Sequence, residues 1–184
     1  MATLIRFFKP YRVLSQFTDS DSRDTLARFI DLPNVYPAGR LDFDSEGLLL
    51  LTDDGALQAH IANPIYKLEK TYLVQVEGKP NQDSLNQLTR GVQLKDGISR
   101  AVRVTLLTVS PSFPERDPPI APRHRETSTW LQVILNTGKN RQVRRMLAAV
   151  GHPVLRLIRT RIGPWTLSNL QPGEWRRETV HLPQ

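Results

Sequence analysis

The chain has no cysteine in 184 residues. This excludes disulfide staples, thiolate nucleophiles and Cys-ligated zinc together, and it suits a reducing compartment, so a cytoplasmic protein is expected. Long apolar runs are missing as well. The start, Met1 to Pro10, carries an apolar stretch too short for a signal peptide, and no segment nears the roughly 20 apolar residues of a membrane helix. Repeats, low-complexity tracts and convincing linkers are also lacking, which favours one domain over residues 1–184, with monomer as the default state. Negative charge is in deficit: 18 Asp and Glu face 25 Lys and Arg, a formal net charge of +7. That balance favours a polyanionic partner, nucleic acid before an anionic membrane. Hydrophobic residues make up 39% of the chain, enough for a core without metal or disulfides.

The periodic segments define a mixed architecture. Phe7 to Phe17 reads as a short extended stretch broken by Pro10. Asp19 to Asp21 can cap a helix carrying Leu26, Phe29 and Ile30 that stops at Pro33, and a second helix is expected after Asp53-Asp54, using Leu57 and Ile61 and ending at Asn63-Pro64. Lys70 to Gly78 reads as a strand with Tyr72, Val74 and Val76 on one face, and Pro80 to Arg90 as a short helix with Gly91 as its C-cap. Two more strands are expected, Ala101 to Val109 and Thr129 to Leu135. Between them the proline-rich, charged stretch 111–127 predicts a mobile surface loop, whose Arg116, Arg123, His124 and Arg125 are either solvated or in touch with phosphates. Val143, Met146, Leu147 and Val150 follow the helical i, i+3, i+4, i+7 rule, with Arg141, Arg144 and Arg145 on the opposite side. Interleaved strands and helices of this kind predict an α+β or α/β domain.

Chemistry points first to Gly39-Arg40-Leu41-Asp42, a Gly-containing turn with a carboxylate beside an Arg, feeding the apolar run Leu48 to Leu51. A buried strand with a reactive Asp at its entrance has this form, and so does a turn whose Asp satisfies its own backbone. A carboxylate acts as nucleophile or base only while it stays charged as substrate excludes water, and a nearby guanidinium opposes that desolvation. Arg40 is the local candidate; Arg141, Arg144 and Arg145 are the distant ones. Lys70-Thr71-Tyr72 sets an aromatic beside a cation at a strand start, where Tyr72 either stacks on an unpaired base or belongs to the core. An EF-hand count from Asp42 fails, because Leu48 to Leu51 spoil it, its last position is Asp53 rather than Glu, and Pro37 and Gly39 preclude an entering helix.

Taken in order, these segments resemble the motifs of the pseudouridine synthases that modify ribosomal RNA. Phe8-Lys9-Pro10 with Val13 to Phe17 is similar to their opening motif, Gly39 to Asp42 to the catalytic one, Lys70-Thr71-Tyr72 to the Lys-x-Tyr motif and Gly138 to Arg144 to the basic one; Gly151 to Arg159 with Arg161-Ile162-Gly163 is similar to the closing motif. The resemblance implies a mostly antiparallel central sheet flanked by helices and loops around a cleft. It implies Asp42 as the catalytic residue, Arg144 as its basic partner and Tyr72 against the target uracil. Arg40, Lys70, Lys139, Arg141, Arg145, Leu157 and Arg159 are the implied RNA contacts, with Arg156 and Arg161 as further phosphate candidates. The implied reaction is isomerisation of uridine in ribosomal RNA, 23S of the large subunit, with no cofactor and no metal, by attack of Asp42 on C1′, addition at C6 or removal of the 2′ proton. Two departures stand out: the opening motif begins within ten residues of Met1, so the amino-terminal S4-type domain of many relatives is not expected, and Arg141 replaces the usual His. The competing reading is a non-catalytic basic RNA-binding or ribosome-assembly module.

Overall fold

A computed structural model describes residues 1–182. In chain order the strands are β1 (Ala2–Lys9), β2 (Tyr36–Pro37), β3 (Glu46–Thr52), β4 (Lys70–Glu77), β5 (Val92–Leu94), β6 (Gly97–Ser99), β7 (Arg103–Leu106), β8 (Ser128–Leu135), β9 (Val154–Ile162), β10 (Trp165–Thr166) and β11 (Trp175–Val180). The helices are α1 (Gly55–Ala62), α2 (Gln82–Arg90), α3 (Pro122–Glu126) and α4 (Gln142–Ala149). The class is α+β, mostly antiparallel with few helices. The chain falls into two compact units, Met1–Leu68 with Thr160–Gln184, and Glu69–Arg159.

In the first unit β1 lies between β11 and β3, antiparallel to both, with Phe7 opposite Trp175 on one side and Leu49 on the other. Every residue of β3 is buried, Leu48 to Leu51 completely, as expected of a central strand covered on both faces. Ile5, Phe7, Val13, Leu26, Leu41, Leu49 and Leu51 form the core. Helix α1 forms where the sequence predicts: the Asp54 carboxylate accepts from the Leu57 amide at 2.8 Å, and Leu57 and Ile61 face inward.

Two expectations in this unit give way to longer-range bonding. β1 starts at Ala2 rather than Phe7, and it ends before Pro10, which has no amide hydrogen to continue the ladder. The helix expected after Asp21 shrinks to one 3-10 turn, Leu26–Arg28. Its backbone is claimed elsewhere, since the Leu26 amide donates to the Gln16 carbonyl and the Asp24 carbonyl accepts from Leu14, both at 2.9 Å.

In the second unit β4 pairs with β8 along its full length, from Lys70 opposite Leu135 to Glu77 opposite Ser128, and β7 pairs with the other edge of β8. Tyr72, Val74 and Val76 pack with Leu131, Val133, Val143, Met146 and Leu147. Helix α2 forms as expected, capped by Asn81, and Gly91 follows it at φ 137°. β7 is shorter than the Ala101 to Val109 strand expected, and a small hairpin, β5–β6, stands where no strand is expected.

The stretch 111–127 is mostly exposed and largely without regular structure. The stretch contains α3, buries Ile120, and is tied to the start of β9 by two guanidiniums: Arg116 donates to the Leu155 carbonyl at 3.1 Å and Arg156 to the Pro114 carbonyl at 2.8 Å. Arg125 is likewise occupied, bonding Glu115 at 2.8 Å and the Ile120 carbonyl at 3.1 Å.

Candidate active-site segments

In the first unit, the Asp42 turn leads into β3 and is gripped from behind by residues 9–15. Gly39 takes φ +80°, a conformation that favours glycine, and turns the chain before Leu41 enters the core. The Ser45 amide donates to the Asp42 backbone carbonyl at 3.0 Å, closing the turn. On one side of Asp42, the Ser15 hydroxyl donates to the Leu41 carbonyl at 2.5 Å and accepts from the Leu41 amide at 3.1 Å. On the other side, the Arg12 amide donates to the Phe43 carbonyl at 2.8 Å. The strap itself is pinned by Lys9, whose fully buried Nζ donates to the carbonyls of Pro10 at 2.8 Å and Val13 at 2.7 Å. Asp42 is half-buried. Arg40 is exposed and donates to Gln16 Oε1 at 2.8 Å.

In the second unit, β4 carries Lys70 and Tyr72 on adjacent turns of the pleat. Tyr72 is only 9% exposed and belongs to the core, so its ring is held by packing. Lys70 is half-buried beside Gly138, where an added Cβ would stand 3.8 Å from its Nζ. Burial first, and then the charge of the buried Arg159, holds the Lys70 ammonium below the ordinary lysine range.

The basic motif closes on itself before α4 begins. Buried Gln142 accepts at Oε1 from the Thr137 hydroxyl at 2.9 Å and from the Lys139 amide at 3.2 Å, while Arg141 sits in the left-handed region at φ 50°. As the periodicity predicts, Val143, Met146 and Leu147 face the core; Arg141 is exposed and Arg144 and Arg145 are half-buried. Two of the implied RNA contacts have close partners within the protein. Arg145 is engaged by the Asp96 carboxylate of the β5–β6 turn, at 2.8 and 3.2 Å. Leu157, 4% exposed, is a core residue of this unit.

Lys9, Ser15, Asp96 and Gln142 all support these segments, and sequence reasoning gives none of them such a part. The Lys9-Pro10 pair of the opening motif is the one local signal that could have drawn attention to the strap.

Among the described residues no group of three or more His, Cys, Asp or Glu could hold a metal ion, and no helix is long and apolar enough to cross a membrane.

A turn presenting an Asp from a buried strand, a Lys-Thr-Tyr strand start and a basic loop leading into a helix occur here in the order found in enzymes that isomerise uridine, and the family model for RNA pseudouridylate synthase matches residues 3–149. The chain belongs to that family. It is 52% identical over 98% of its length to ribosomal large subunit pseudouridine synthase E of Vibrio vulnificus, covering 76% of that protein. The protein of the same name from Xanthomonas campestris is 52% identical over 94% of each chain. Among solved structures, a pseudouridylate synthase crystal structure aligns with a TM-score of 0.77 and 27% identity, over 97% of this chain and 71% of that one.

Proposed function

We propose that this protein converts a uridine of large-subunit ribosomal RNA to pseudouridine with Asp42 as the reacting carboxylate. The single observation that carries the substrate assignment is 52% identity, over nearly all of this chain, to a protein named for the large ribosomal subunit. The reaction breaks the bond from N1 to C1′, turns the base and joins C5 to C1′; C5 loses its proton, N1 gains one, and there is no net oxidation or hydrolysis.

In this reading each segment has one task. Asp42 attacks the nucleotide or removes its 2′ proton, and the backbone bonds on both of its neighbours limit its movement as it does so. Arg144 supplies the positive charge that keeps the carboxylate ionised once water is excluded, the role the family resemblance implies for it. Tyr72, packed in the core, meets the extruded uracil with the small part of its surface left exposed, the contact the family resemblance implies for it, while leaving the helix costs the nucleotide a few kcal/mol. Lys70, Lys139 and Arg141 hold phosphates, and Arg40 assists at the Asp42 turn.

The test is direct. Large-subunit rRNA transcribed without modification is incubated with the protein and no additive, and pseudouridine is mapped along it. New pseudouridine at a discrete uridine is expected; none, with RNA still bound, would favour a non-catalytic binding module.

A further inference from the structure

We infer that Arg145 is a positioning residue, tied to Asp96 at the tip of the β5–β6 hairpin so that the basic loop 139–141 holds one shape, and that it does not grip RNA phosphate. The inference rests on the reading of this loop as an RNA contact and assigns different work to neighbouring cations within it.

Each of the three nitrogens of the Arg145 guanidinium makes a hydrogen bond inside the protein. Its Nε donates to the Asn140 carbonyl at 2.9 Å, Nη1 to Asp96 Oδ1 at 2.8 Å and Nη2 to Asp96 Oδ2 at 3.2 Å. One planar group thus joins the loop before α4, the first turns of α4 and the hairpin tip. The fork-to-fork pairing with a carboxylate is geometrically specific, where a lysine would make a single point contact. The hairpin is shaped to reach this position: Gly97 stands at φ +120°, and an added Cβ there would lie 3.9 Å from Lys139 Nζ. The neighbouring charges agree, because hydrogen bonding by Arg145, reinforced by the charges of Arg145 and Lys139, holds the Asp96 carboxyl below the ordinary range. Asp96 also cancels one positive charge at this spot. A phosphate seeking the two-pronged Nη1–Nη2 grip of Arg145 would have to displace a carboxylate already seated in that fork.

Charge exchange separates positioning from phosphate binding. Asp96→Arg, Arg145→Asp and the double exchange are compared for melting temperature, for affinity to unmodified large-subunit rRNA across a salt series, and for kcat and KM. A positioning tie predicts that each single reversal lowers melting temperature and kcat, and that the double exchange recovers most of both. It also predicts that Arg145→Gln leaves the salt slope of binding unchanged. A phosphate contact predicts that Arg145→Gln flattens the slope by about one counterion and that the double exchange restores nothing; that result would overturn the inference. Should the reversals fail to fold, Asp96→Asn and Arg145→Gln form a milder double-mutant cycle in melting temperature, where additive effects count against the tie. Melting and salt slope require no turnover, so absence of pseudouridine formation would sink the proposed function while leaving this test standing.

Discussion

Ser15 holds Leu41 by both its backbone amide and its backbone carbonyl, donating to the carbonyl at 2.5 Å and accepting from the amide at 3.1 Å, although 26 residues separate the two. Leu41 immediately precedes Asp42, so this clasp fixes the direction from which the carboxylate leaves the chain. Ser15→Ala leaves a buried amide and carbonyl to find new partners, at a cost of about 1–3 kcal/mol in stability. Activity is expected to fall through kcat, with RNA affinity unchanged, because the variant loosens the reacting group without touching a phosphate contact. Urea unfolding and single-turnover kinetics check the two parts separately; an equal rise in Kd would assign Ser15 to binding instead.

Lys9 sets the strap that carries Ser15. Lys9→Met keeps most of the apolar stem but withdraws the donor from the Pro10 and Val13 carbonyls, and a loss of about 3 kcal/mol is expected. A urea midpoint equal to that of the unaltered protein would contradict this account of its burial.

Lys70 gives the protein a distinctive alkaline behaviour. Its folded-state pKa is depressed by burial, then by Arg159, below the ordinary 10.5, so between the two values the unfolded chain binds more protons than the folded one. Stability from this group therefore rises with pH across that window, and the cost of burying its charge is present in full below it. Lys70→Met is expected to be more stable than the unaltered protein at neutral pH, with the advantage disappearing as pH rises through the window. RNA affinity of the unaltered protein should fall over the same window as the ammonium is lost. Melting curves and binding titrations as functions of pH check both; an affinity flat to pH 10.5 would remove Lys70 from the phosphate contacts.

Where signals are local, the sequence predicts the fold well. The Asp54 cap, the inward Leu57 and Ile61 and the Asn63-Pro64 stop together specify α1, and the β-rich run Thr71 to Glu77 specifies β4. Between Asp19 and Pro33 the helical spacing misleads, because the amides of Leu14 and Leu26 make long-range bonds that no window of sequence displays. The β5–β6 hairpin escapes notice for a different reason: its strands are three residues each, too short for alternation to register. The 111–127 stretch is polar and proline-rich, yet Arg116 and Arg156 fasten it by bonds to backbone carbonyls, which composition does not reveal.

The candidate site divides along the same line. Asp42, Tyr72 and Arg144 stand out because each lies in a motif with a recognisable order. Their supports do not, since the work of Lys9, Ser15 and Asp96 depends on partners brought near only by folding. A lysine is normally a surface residue, so the complete burial of Lys9 has no counterpart in composition or pattern.

The central claim is that the Asp42 carboxylate performs the chemistry. Asp42→Asn preserves shape while removing the nucleophile, so the decisive measurement is pseudouridine formed in unmodified large-subunit rRNA by this variant, alongside its RNA affinity. The account predicts no detectable product with Kd within a few-fold of the unaltered protein's. Turnover at the unaltered rate would contradict it outright.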